Sequence, residues 1–162
     1  MMSKFGDKYM VVKEECVGHV QKRMGTAMRK YKKDMKCKKL ADGKGCGGKG
    51  RLTDKVIDKI QNYFGKAIRE NSGNLDGMKK SISAIKCHMI ENNDLSLEEQ
   101  HKYCPKGGNT RCKFSADREH NSSTYDNTKH LPEVFMKKLE PIFKRLTNDE
   151  LLTRCLRGLT QN

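Results

Sequence analysis

Apolar residues recur every three or four positions at Val17, Val20, Met24, Met28 and Tyr31, with lysine and arginine filling the sites between them. That period predicts an amphipathic helix over residues 16–36, weakened at Gly25. The stretch before it, "YMVVKEE", is short and β-branched, and predicts a strand from Tyr9 to Glu14. Five glycines between Asp42 and Arg51 interrupt the pattern. A second helix is expected to start at Thr53, an N-cap followed by Asp54 at the positive helix end, with Val56, Ile57, Ile60, Phe64 and Ile68 as its apolar stripe. Leu75, Met78, Ile82, Ile85 and Met89 repeat the pattern beyond "SGN". Ser96 with Glu98 and Glu99 predicts the cap of a short helix, and residues 105–130 read as polar and irregular.

The periodicity returns in "LPEVFMKKLEPIFKRL", where Pro132 suits a first helical turn and Pro141 is expected to kink or restart the helix. Asn148 then caps a last helix with Leu151, Leu152, Cys155 and Leu156 facing the core. No internal repeat is present. These elements predict a mainly α chain with one candidate N-terminal strand.

Charge changes this picture more than composition does. The chain carries 34 Lys+Arg against 20 Asp+Glu, a net charge of +14. Residues 1–51 hold 15 basic and 5 acidic residues, leaving only +4 for the rest. Such a field favours a polyanion, most simply nucleic acid, over a merely soluble surface. Lys22, Arg23, Arg29, Lys30, Lys32, Lys33, Lys44, Lys49 and Arg51 are the candidate phosphate contacts. The run from Gly43 to Lys49 has the spacing G-x-x-x-x-G-K, but Gly50 replaces the hydroxyl residue and no strand precedes it, so an ATPase loop is rejected. A backbone wrapped on a DNA phosphate and a flexible basic linker remain as readings of this loop.

The N-terminus has no long apolar run, which argues against export and against a membrane span, and makes cytosol or nucleus the expected compartment. Seven cysteines, an odd number, then argue against a disulfide framework. In "HKYCPKGGNTRC", His101 and Cys104 are two residues apart and Cys112 returns after a Pro/Gly turn, a spacing that suits zinc. The fourth ligand is His88 on the preceding helix, or else the pair Cys16 and His19 in "CVGH" completes the site. The competing view of that pair has Cys16 capping a core strand and His19 solvated. Cys37 and Cys46 look incidental, Cys155 looks like core, and His120 and His130 are expected in water.

The strings "ECVGHVQKRMGTAMRKYKK", "KLADGKGCGGKGRLTDKVIDKIQNYFGKAIREN", "LSLEEQHKYCPKGGNTRCKF" and "DELLTRCLRGLTQN" together resemble the Mutator-like transposase domain of animal transposon-derived proteins. The resemblance implies a fragment of an RNase H-like core with its helical, Cys/His-containing insertion. Its C-x-x-H motif matches Cys16 and His19, and the insertion would take up most of residues 20–147. Within a partial domain over 1–162, the expected parts are 9–36 (strand and helix), 37–52 (Gly/Lys loop), 53–147 (helical insertion) and 148–162 (closing helix). Arg111 stands where the family usually carries Trp.

The catalytic carboxylates, and with them the Mg2+ ions of a complete enzyme, are expected outside this chain, which reads as a truncated or decayed element inactive by itself. The resemblance therefore implies a nuclear, DNA-binding fragment related to transposition, with a structural Zn2+, no membrane partner, and a homo-oligomer only as part of the complete transposase. A free-standing basic helical interaction module is the alternative.

Overall fold

A computed structural model of the chain describes residues 13–108, 110–126 and 130–159. Seven helices follow one another: α1 (Val17–Asp34), α2 (Asp54–Glu70), α3 (Leu75–Met89), α4 (Leu97–Gln100), α5 (Lys113–His120), α6 (Val134–Leu146) and α7 (Asp149–Thr153). Among the described residues, β structure is limited to two isolated bridges, Lys39 with Gly45 and Ile90 with Leu131. Of the expected strand, residues 9–12 lie outside the described residues, and Lys13 and Glu14 are irregular.

The helices start where side chains can satisfy their unpaired amides. Thr53 accepts from the Val56 amide at 3.3 Å, Asn74 from Gly77 at 2.9 Å and Asn148 from Leu151 at 2.9 Å. Ser96 and Glu99 form a reciprocal capping box. α1 solves the problem differently. Cys16 makes no capping hydrogen bond, so the amide of Val17 donates to the carbonyl of Leu159 at 2.9 Å. Glu15 N donates to Arg154 O at 3.0 Å and Gly73 N to Leu156 O at 2.7 Å. The C-terminal segment is thereby stitched to the entry of α1 and to the α2–α3 turn.

One apolar core runs through the bundle. Val17, Val20, Met24 and Met28 from α1 meet Ile57, Ile60, Phe64 and Ile68 from α2, all fully buried. Met78, Ile82, Ile85 and Met89 from α3, Phe135, Leu139 and Phe143 from α6, and Leu152 and Cys155 near the end complete it. α1 and α2 run antiparallel, as cross-links from Gln21 to Asn62, Arg29 to Asp58 and Lys32 to Asp54 show. Gly25 sits at this crossing. A Cβ there would lie 1.6 Å from Oε1 of Gln61, which Arg29 Nη1 contacts at 3.3 Å. The glycine that weakens the helix as a propensity thus makes room for a neighbouring helix's side chain.

Two expectations are corrected. Pro141 does not restart its helix: α6 runs through it. Pro141 and Lys137, whose carbonyl loses an amide partner, are both exposed, so water can take that hydrogen bond. The Gly/Lys loop is not a slack linker. Leu40 N donates to Lys44 O at 2.8 Å and Leu52 N to Cys46 O at 3.1 Å, while Leu40 and Cys46 are buried. Cys46 is therefore part of the core and not incidental.

Beside this loop the hydroxyl of Tyr31 is buried without a hydrogen-bond partner among the described residues. Burial, then the neighbouring Cys46, raises its pKa above the ordinary tyrosine value. An unsatisfied buried polar atom costs about 1–3 kcal/mol. Tyr31→Phe should accordingly raise unfolding stability by roughly 1 kcal/mol, measured by urea denaturation. A loss of stability would mean that the hydroxyl has a partner.

Candidate metal centre

The segment from α3 to α5 carries a second, smaller buried cluster of Ala84, Cys104 and Cys112, with Phe114 packed against it. α3 serves both clusters. Met78, Ile82, Ile85 and Met89 face the main core, while Ala84 and His88, four residues apart, face the small one. The helix repeat therefore delivers the imidazole of His88 to a site whose other members come from the loop and helices beyond it.

The remaining members are placed by short-range bonds. The capping box fixes α4, and His101 follows as its C-cap. Cys104 N donates to His101 O at 2.9 Å, which closes a tight turn and points both side chains inward. Gly107, at φ +112°, turns the chain where a side chain would be strained. The Thr110 hydroxyl then accepts from Cys112 N at 2.8 Å, and Cys112 caps α5. The Ser115 amide donates to Cys112 Sγ at 3.3 Å, a contact that suits an anionic sulfur at a helix N-terminus.

His88, His101, Cys104 and Cys112 place one ligand atom each within 4.8 Å of one another. Cys104 Sγ lies 3.0 Å from His88 Nε2 and 3.4 Å from His101 Nδ1, and Cys112 Sγ lies 3.5 Å from His101 Nδ1. With Zn–S near 2.3 Å and Zn–N near 2.0 Å, the sulfur–nitrogen edge of a tetrahedron is about 3.5 Å. The His2Cys2 donor set suits that ion, and the two contacts to His101 Nδ1 match that edge. His101, Cys104 and Cys112 are buried, and His88 is half-buried.

Protonation follows from burial. It holds the His88 imidazole down to about 4, with His101 and His130 adding to the effect, and it lowers His101 as well. It pushes the Cys104 thiol far up, and Cys112 pushes it further. Both imidazoles are thus neutral and able to ligate at pH 7, and a cation would have to displace the Cys104 thiol proton to bind.

The two nitrogens of His101 are used separately. Nδ1 faces the sulfurs, and Nε2 lies 3.0 Å from the Tyr125 hydroxyl. Phe114 stacks on the ring at 4.6 Å and Tyr125 meets it edge-on at 5.2 Å. With Nε2–H donating to Tyr125, the lone pair stays on Nδ1, the tautomer that a ligand needs. Tyr125 is placed by Asp117, a buried carboxylate that accepts from Ser122 Oγ at 2.8 Å, Thr124 Oγ1 at 2.7 Å, and the amides of Thr124 and Tyr125 at 2.6 Å each. Those hydrogen bonds, led by the one from Thr124, hold its carboxyl below the usual carboxylate range.

Of the six residues expected to bind metal, the structure brings these four together. Cys16 and His19 lie elsewhere: Cys16 precedes α1 near Cys155, and His19 is exposed on α1. The expectation that the "CVGH" pair joins the turn is corrected, because α1 turns its Val17/Val20 face to the main core and carries His19 away from the α3–α5 lobe. His130 is half-buried near Tyr125, not in open water.

The candidate phosphate contacts divide in a similar way. Arg51 is 6% exposed and is corrected from surface contact to internal clamp: it pairs with Asp42 and donates from Nε to Gly45 O at 2.9 Å. Arg29 and Lys32 pair with Asp58 and Asp54 of α2. Arg23 pairs with Glu15 and Lys30 with Asp34. Lys22, Lys33, Lys44 and Lys49 are exposed and make no ion pair among the described residues.

Among the described residues, a basic helical fold thus carries a His2Cys2 cluster whose four ligand atoms could hold a metal ion. The chain belongs to the Mutator-like transposase family, whose profile matches residues 2–112, ending on the last of the four cluster residues. Comparisons with curated proteins and with solved structures give no match. No described helix is long and apolar enough to cross a membrane.

Proposed function

We propose that this chain is a zinc-stabilised, DNA-binding part of a Mutator-like transposase, taking part in transposition by holding DNA without carrying the catalytic carboxylates. The convergence of His88, His101, Cys104 and Cys112 carries the structural half of this reading. A bound zinc would be structural: it would fasten the lobe between α3 and α6, whose own apolar content is little more than Ala84, Phe114 and the two cysteines. The uneven charge and the family together support the DNA half. Cleavage and strand transfer would belong to the Mg2+-dependent RNase H-like core of the complete transposase, in the nucleus and in whatever homo-oligomer that enzyme forms.

The test is binding of a fluorescent duplex oligonucleotide to the purified chain across a range of salt. Affinity should fall linearly on a log–log plot, with a slope of about −0.9 for each phosphate neutralised. No binding at low salt would remove the DNA reading and favour a basic module that binds proteins.

A further inference from the structure

α1 has three distinct faces. One is buried in the core, and one is tied to α2 through Gln21, Arg29 and Lys32. The third lines an open groove of about 740 Å³ shared with α6 and α7. Lys22, Arg23 and Lys30 line it from α1, and Arg145 faces them from the end of α6. Its remaining lining comes from His19, Thr26 and the apolar Ala27, Leu146 and Leu151. Among the described residues, no carboxylate lines it.

Two of these four cations already have acidic partners, Arg23 with Glu15 at 2.9 Å and Lys30 with Asp34 at 2.8 Å. Lys22 and Arg145 have none among the described residues, so the groove retains positive charge above an apolar floor. A cleft lined by one sign of charge with low-dielectric walls focuses the field on whatever enters. The hollow beside the His/Cys cluster lacks this property, because Glu98 and Glu119 sit among its Lys102, Lys106 and Arg118.

We infer that this groove is the seat of one DNA strand's sugar–phosphate backbone. The inference rests on the DNA-binding reading above and gives it a location. Lys22, Thr26 and Lys30 follow one another at intervals of four residues. They form a row about 12 Å long at 1.5 Å per residue, enough to meet more than one consecutive phosphate of a strand. Lysines and a hydroxyl along one wall and Arg145 on the other are donors only or donors by choice, which is what phosphate oxygens require. His19 adds a ring nitrogen to the lining. This gives the C-x-x-H histidine a place in DNA contact and not in the metal cluster.

The experiment uses the full chain, a duplex oligonucleotide and a single strand of the same length, with anisotropy titrations from low to moderate salt. Lys22→Gln combined with Arg145→Gln should make the log–log salt slope shallower by about 1.8, two contacts at 0.9 each. Thr26→Glu, which puts a negative charge mid-groove, should weaken binding at least tenfold at low salt. Lys55→Gln combined with Lys80→Gln, exposed charges on α2 and α3 outside the groove, should leave the slope unchanged. All these positions are exposed, and circular dichroism should confirm an intact fold. Unchanged slope and affinity in both groove variants, or an equal loss in the α2/α3 control, would overturn the groove while leaving DNA binding in place. Absence of binding by the unmodified chain would overturn both.

Discussion

Cys104→Ser should abolish stoichiometric zinc binding and release the α4–α5 lobe, while the bundle of α1, α2, α3 and α6 stays folded. Cys104 Sγ is the common neighbour of both imidazoles, and a hydroxyl is a poor zinc ligand beside two nitrogens and a sulfur. The magnitude should be large, because the lobe's few apolar groups cannot replace a tetrahedral metal site. The choice of probe matters. α4 and α5 are only 4 and 8 residues long, so chelation should change far-ultraviolet dichroism little. Limited proteolysis should instead cut within residues 91–130, and only in the chelated or substituted protein.

Tyr125→Phe provides the graded comparison. It keeps all four ligands and the aromatic packing but removes the hydroxyl beside His101 Nε2. Such a partner is worth about 10–100-fold in metal affinity. Zinc affinity measured by chelator competition should fall by that factor at unchanged stoichiometry. If Cys104→Ser still binds one zinc with native affinity, the four-residue site is wrong. If Tyr125→Phe has no effect, the Tyr125 hydroxyl does not set the tautomer.

Much of this arrangement is legible in the chain because it is local. Thr53, Ser96 and Asn148 cap helices that their own neighbours dictate, and the apolar stripes of α1 to α3 mark the faces that become core. His101, Cys104 and Cys112 share one turn, so their spacing alone suggests a common ligand. The fourth position is not local. His88 and the Cys16–His19 pair satisfy the same chemistry on paper, and only the packing of α3 against the turn favours His88. Asp117 and Tyr125 fall in a stretch too polar to show periodicity. Their signal is a carboxylate followed by Ser122, Thr124 and free amides at short range, the composition of a side-chain-organised turn. The groove depends on Arg145, which joins α1 only through the packing of α6.

Arg51 is the residue whose meaning changes most between sequence and structure, and its substitution should have the second large effect. In the sequence it is one more cation beside a glycine-rich loop. In the fold its guanidinium pairs with both oxygens of Asp42, donates to the Gly45 carbonyl, and lies 4.9 Å from the centre of the Phe135 ring. One side chain therefore ties the loop to itself and to α6. Arg51→Ala should cost about 2–3 kcal/mol, combining the lost charge-assisted hydrogen bonds to Asp42 and Gly45 with the lost packing of the buried Arg51 side chain on Phe135. The melting temperature should drop by roughly 5–10 °C. Acid should weaken the same clamp. The hydrogen bond from Arg51 holds the Asp42 carboxyl below the usual carboxylate range, so its contribution is complete at neutral pH and disappears as the pH falls through that lowered value.

Arg51→Lys separates the clamp from a phosphate contact. Lysine keeps the charge and serves a phosphate well as a point charge, but it cannot reproduce the planar fork that spans Asp42 and Gly45. An internal clamp predicts that Arg51→Lys loses most of the stability that Arg51→Ala loses, with DNA affinity unchanged at temperatures where the variant is folded. A direct DNA contact predicts the reverse: near-native melting for the lysine variant, and a shallower salt dependence for alanine alone.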